Sequence, residues 1–185
     1  EWRAMEQPLA AVGLTAAKVV EYKEGRACSF WFVRADRLRA YTSTTPAKLQ
    51  ALREDHPDWL EQRTISFAEG CTGAYRESTL VVSHCWEDPS QPDGEGVQFA
   101  AVKAHLEAHR AIEWVWYDYW SMPQGRVEQK EKTEWEDAEF AVMLPNINLL
   151  YLFCSVLILQ DRQYMGRFWV RRAQRFTTAC SCVAR

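Results

Sequence analysis

Two short apolar segments that stop abruptly in polar and aromatic residues constrain this chain more than any other feature. The first is Leu80-Val81-Val82, which runs into Ser83-His84-Cys85-Trp86-Glu87-Asp88. The second is Trp114-Val115-Trp116-Tyr117, which runs into Asp118-Tyr119-Trp120-Ser121-Met122-Pro123-Gln124-Gly125. Each reads as a strand buried on both faces, because it is short and uncharged. In an open parallel sheet the carboxyl ends of the strands form the binding crevice. The two segments therefore predict one rim carrying Ser83, His84, Trp86, Glu87, Asp88, Asp118, Trp120 and Gln124.

The residues between and after them support an α/β order. Turn chemistry over 88–96 leads into a predicted helix over 97–110, followed by the second strand over 112–117 and a loop over 121–130. A further helix is predicted over 132–146, with Trp135, Ala138, Val142 and either Phe140 or Met143 facing inward. Its acidic residues, Glu131, Glu134, Glu136, Asp137 and Glu139, read as a solvated face, and Pro145 should end or kink it. A third strand is predicted over 155–159 and another helical segment from 164 to 169. Crossovers long enough to hold a helix imply parallel strands with right-handed connections.

Residues 1–78 read as an N-terminal extension to an α/β domain at 79–185. A hairpin of 16–22 with 27–33 around Lys23-Glu24-Gly25-Arg26 competes with a helix over 9–20. Thr45-Pro46 reads as the N-cap and first residue of a helix that carries Leu49 and Leu52 and ends near His56-Pro57. A weak strand is predicted over 63–67.

Composition narrows the class. The chain has 185 residues, a one-domain length, and 48% hydrophobic with 25% charged residues argues against global disorder. A net charge of -3 and a pI near 5.9 give no sign of a nucleic-acid binder. Six cysteines at irregular spacing read as reduced thiols of an intracellular, cytoplasmic protein. Cys180-Ser181-Cys182 has no second pair at ligand spacing, so no metal site is expected. No apolar run reaches the ~18 residues of a membrane span.

The rim residues leave several chemistries open. Glu87 and Asp88 suit a ribose hydroxyl, a cation or a plain turn. His84 suits proton transfer or a structural hydrogen bond. Ser83, His84 and Asp118 superficially offer a triad, but the Gly-x-Ser-x-Gly elbow is absent. Tyr117, Tyr119 and Trp120 suit stacking on a purine or nicotinamide ring, or packing of the loop. No Gly-x-Gly-x-x-Gly or Walker A sequence supplies a standard phosphate cradle.

Residues 79–88 resemble the first box of TIR domains, in which a hydrophobic strand runs into Ser, an aromatic or basic residue, and an acidic pair. Ser-His-x-Trp together with Trp116, Asp118, Pro123 and Gln124 also resembles the HET (heterokaryon incompatibility) domain. The nearer likeness is to TIR/HET-like proteins of algae and other protists. Their four motifs are matched at 83–89, 116–125, 146–152 and 167–169. The resemblance implies a flavodoxin-like, three-layer parallel sheet and a signalling module that self-associates. For some members it implies cleavage of NAD at the nicotinamide–ribose bond by a glutamate on the helix after the third strand. Here the matching stretch, Phe168-Trp169-Val170-Arg171-Arg172-Ala173-Gln174-Arg175, contains no acid. The resemblance therefore implies a domain truncated or altered after about residue 169, with no room for a fourth and fifth strand. NAD stands as a possible substrate, with Trp86, Glu87, Asp118, Trp120 and Gln124 around it and no catalytic residue assigned.

Overall fold

The computed structural model describes residues 20–22, 24–88, 91–125 and 132–159. They build a five-stranded mixed sheet with helices on both faces. The strands are β1 (Ala27–Arg34), β2 (Leu60–Ser66), β3 (Thr79–Ser83), β4 (Trp114–Trp116) and β5 (Ser155–Ile158), in the spatial order β2-β1-β4-β3-β5. β3 lies between β4 and β5 and is parallel to both. β1 runs antiparallel to β4 on one side and to β2 on the other. The sheet is thus continuous across residue 78. The helices are α1 (Ala35–Ala40), α2 (Leu49–Asp55), α3 (Phe67–Cys71), α4 (Val97–Ala108), α5 (Asp118–Ser121), α6 (Glu134–Asn146) and α7 (Asn148–Phe153).

β3 shows why the parallel strands are uncharged. Leu80 and Val82 enter one core with Val102 and Leu106 of α4. Val81, between them, enters the opposite core with Val142 of α6 and Leu149 of α7. Side chains alternate across a strand, so a strand covered on both faces has no position for a charged group. Burying each Val or Leu side chain contributes about 1.5–3 kcal/mol. The two free edges of the described sheet differ. β2 carries Glu61 and Arg63, charges that discourage edge pairing. β5 is uncharged, with Val156 and Ile158 exposed.

Several sequence expectations are corrected. Residues 20–22 are helical and 27–33 pairs with β2, so 20–22 form no strand of the expected hairpin, whose residues 16–19 lie outside the described residues. The helix expected from Thr45 begins at Leu49 with Lys48 as N-cap, although it ends at His56 as expected. A short helix, α5, opens the segment after β4.

The larger correction is α6. Glu136 and Glu139 are buried, not solvated. Glu136 closes a capping box with Thr133. Glu139 accepts from Arg53 Nη2 at 2.8 Å and from the Trp31 indole N–H at 2.5 Å. The Arg53 guanidinium lies over the rings of Trp31 and Trp135. A buried carboxylate persists when it is paired and hydrogen-bonded, and α2 and β1 supply both conditions. Trp135, expected inward, is 36% exposed. Pro145 lies inside α6, which ends one residue later. Residues 9–19 of the expected helix over 9–20, the segment over 164–169 and Cys180-Ser181-Cys182 lie outside the described residues.

Candidate functional site at the sheet rim

β3 and β4 end side by side, and the residues that follow them interlock. His84 Nε2 lies 2.7 Å from Asp118 Oδ1, and the Trp86 indole N–H donates to Asp118 Oδ2 at 2.8 Å. One carboxylate thus joins the two segments. His84 Nδ1 lies 3.1 Å from Gln98 Oε1 near the start of α4. Gln98 Nε2 donates to the Cys85 carbonyl at 2.8 Å, which fixes which way its amide points. The His84 ring stacks on Tyr117 with centroids 4.0 Å apart. It is therefore held by hydrogen bonds at both nitrogens and by a ring on one face.

Asp118 is in place because β4 stops at Trp116 and α5 starts at once. Gln124 then secures that turn. Its Nε2 donates to the Asp118 carbonyl at 2.7 Å and to the Met122 carbonyl at 2.8 Å. Its own carbonyl accepts from Gln50 Nε2 at 2.8 Å, which ties the loop to α2.

Ser83, His84, Trp86, Asp118 and Gln124 therefore gather at the rim. Glu87 and Asp88 are exposed beyond it. Trp120 is 1% exposed and belongs to the core: it packs on Tyr117 and Phe99, and its indole N–H donates to the Val115 carbonyl. Both His84 nitrogens are engaged, so neither is left to activate Ser83, and the triad geometry is not formed.

Sequence reading passed over Gln98, Asp93 and Gln50. Gln98 was detectable: counting back by four from Leu106 through Val102 lands on it, so it shares the buried face of α4. Asp93 completes the helix start. Gly96, the N-cap of α4, has no side chain to offer, and Asp93 Oδ2 accepts from the Phe99 N–H at 2.6 Å instead. Two buried atoms beside this network lack hydrogen-bond partners, Asp93 Oδ1 and the Tyr117 hydroxyl. The Tyr117 phenol is pushed well above its ordinary 10.0, first by burial and then by the Asp118, Asp93 and Glu87 carboxylates. It stays a neutral phenol.

A cleft of about 480 Å³ opens beside the start of α4, where Phe99 and Lys103 face the 42–44 loop. None of the rim residues expected from the sequence lines it. Among the described residues, no group of three or more His, Cys, Asp or Glu side chains is disposed to hold a metal ion. No helix among them is long and apolar enough to cross a membrane. Comparison with family models, with curated proteins and with solved structures found no match.

Proposed function

We propose that this chain is a TIR/HET-like interaction module that associates with copies of itself. The observation that carries this reading is the joining of the two motif ends through one carboxylate, His84–Asp118–Trp86. Residues far apart in the chain that define the resemblance thus form one physical unit. The placement of β3 between β4 and β5 also supports it, because flavodoxin-like sheets put their first parallel strand between the second and third. Self-association is supported by exposed apolar side chains on consecutive elements: Leu144, Tyr151, Leu152, Val156 and Ile158.

The same geometry weighs against NAD cleavage. His84, Trp86, Asp118 and Gln124 direct polar atoms at one another and at the backbone, and Trp120 is in the core. A rim so cross-linked suits a rigid scaffold for surface contacts better than a site that must solvate a nucleotide. The stretch over 168–175 lies outside the described residues.

Light scattering over a hundredfold concentration range tests the reading. The apparent mass should rise with concentration, and Leu152→Glu should suppress the rise. A strictly monomeric chain at the highest concentration would refute self-association. Incubation with NAD and detection of free nicotinamide tests the alternative: steady release by the folded chain would displace the module reading.

A further inference from the structure

The two outer strands of the described sheet treat their free edges differently. β2 carries Glu61 and Arg63, whereas β5, Ser155-Val156-Leu157-Ile158, carries no charge. An outer strand presents a row of N–H and C=O groups that can template another strand, and charge is a common protection against it. The register fixes which groups of β5 face outward. The Leu159 N–H donates to the Ser83 carbonyl at 2.8 Å. Backbone groups alternate from one edge of a strand to the other. Leu157 and Leu159 therefore turn theirs toward β3, and Val156 and Ile158 turn theirs away from it. Val156 pairs with Val81 and Ile158 with Ser83, so both side chains lie on the sheet face covered by α7. Both are exposed there, as are Tyr151 and Leu152 of α7.

We propose that β5 is where two copies of this chain meet, paired antiparallel about a two-fold axis through Leu157, so that two five-stranded sheets become one. This rests on reading the chain as a self-associating module, and it names how the copies join. The occupant is a second copy because the edge is its own complement. With the axis at Leu157, Val156 faces Ile158 of the second copy, and Ile158 faces Val156 of the second copy. These are the hydrogen-bonded type of antiparallel pair, in which facing residues exchange both N–H···O bonds. Every outward group of Val156 and Ile158 is then satisfied, and the ladder to β3 is untouched. A two-fold interface repeats each contact, so one short strand serves both sides. All 4 residues of β5 are uncharged, so no like charges come opposite each other. The exposed Val156 and Ile158 side chains cover one another across the junction. The axis stands perpendicular to the sheet, which keeps α7 of both copies on one side. The pairing is thus continuous with the exposed apolar surface of Tyr151 and Leu152.

The register makes a specific test possible. The full chain is followed by sedimentation at the concentration where the parent is half dimeric. Val156→Glu and Ile158→Lys, each alone, set a charge against an apolar neighbour and should leave the chain monomeric there. An equimolar mixture of the two variants should recover dimers, because the carboxylate introduced at 156 then faces the ammonium introduced at 158 of the other chain. Both positions are exposed in the single copy, so the circular dichroism of each variant should match that of the parent. In amide exchange followed by NMR, the Val156 and Ile158 amides should gain protection as concentration rises, whereas Leu157, already bonded to β3, should be protected throughout. A parent that associates while both variants associate equally well would overturn the edge pairing and leave the module reading standing. Folded, monomeric variants that fail to recombine would overturn it in the same way. A parent that is monomeric at every concentration would overturn both, and protection of the 156 and 158 amides in that monomer would assign the edge to another segment.

Discussion

Removing the Asp118 carboxylate probes the rim most directly. Asp118→Ala leaves two donors without their acceptor, His84 Nε2–H and Trp86 Nε1–H. The His84 side chain is 2% exposed, so water cannot replace the lost partner there. An unsatisfied buried donor costs about 1–3 kcal/mol, and bonds to a charged acceptor lie at the upper end. Trp86 is only half-buried, and its indole recovers part of the loss from water. The expected sum is about 3 kcal/mol, a large share of the ~5–15 kcal/mol that holds a typical domain together. For a chain of this length it corresponds to a fall of roughly 6–12 °C in melting temperature.

Urea unfolding followed by tryptophan fluorescence and by circular dichroism measures it. Asp118→Asn keeps one acceptor oxygen but turns an amide N–H toward the second donor, so about half the loss is expected. In a His84→Ala background Asp118→Ala should cost at least ~1 kcal/mol less than in the parent, because contacting residues couple. A loss below about 0.5 kcal/mol, the range of an ordinary surface substitution, would show that this carboxylate does not hold the rim together.

Three further outcomes are expected. Arg53→Met strands the Glu139 carboxylate, which is 5% exposed, and should cost about 3 kcal/mol in urea unfolding; adding Glu139→Gln should recover more than half. Gly96→Ala should cost about 2–3 kcal/mol, because φ is +74° and a Cβ there lies 2.1 Å from the Thr44 carbonyl oxygen, whereas Gly94→Ala, with open space around it, should be near neutral. Stability should also fall in alkali. Burial raises the Cys154 thiol from 9.0 to about 12, raises Cys28 further, and raises the Tyr22, Tyr75 and Tyr117 phenols above 10.0. The unfolded chain loses these protons first, so their contribution is complete below pH 9 and declines through the folded values. The urea midpoint should therefore be level below pH 9 and drop between pH 9 and 12, and a midpoint that rises there would contradict the burial of these groups.

Much of the parallel core was legible along the chain. A strand covered on both faces must be short and uncharged, and Thr79–Ser83 announces itself by that local rule; Ser155–Ile158 is as short and uncharged, although Val156 and Ile158 are exposed. The meeting of His84 with Asp118 was also within reach, because parallel neighbours deliver their carboxyl ends to one edge. What the chain hid was every choice that depends on a distant partner. Glu136 and Glu139 read as a wet face until Arg53 and Trp31, brought from α2 and β1, make burial tolerable. Trp120 read as a rim residue until the turn of α5 folded it back under β4. The placement of β1 and β2 on the far side of β4 rests on antiparallel pairing between segments well separated in sequence. Periodicity and turn chemistry act over a few residues, so the sequence by itself determined which stretches become strand or helix. Desolvation is decided by what lies across the fold, so only the tertiary structure settled which polar groups are buried.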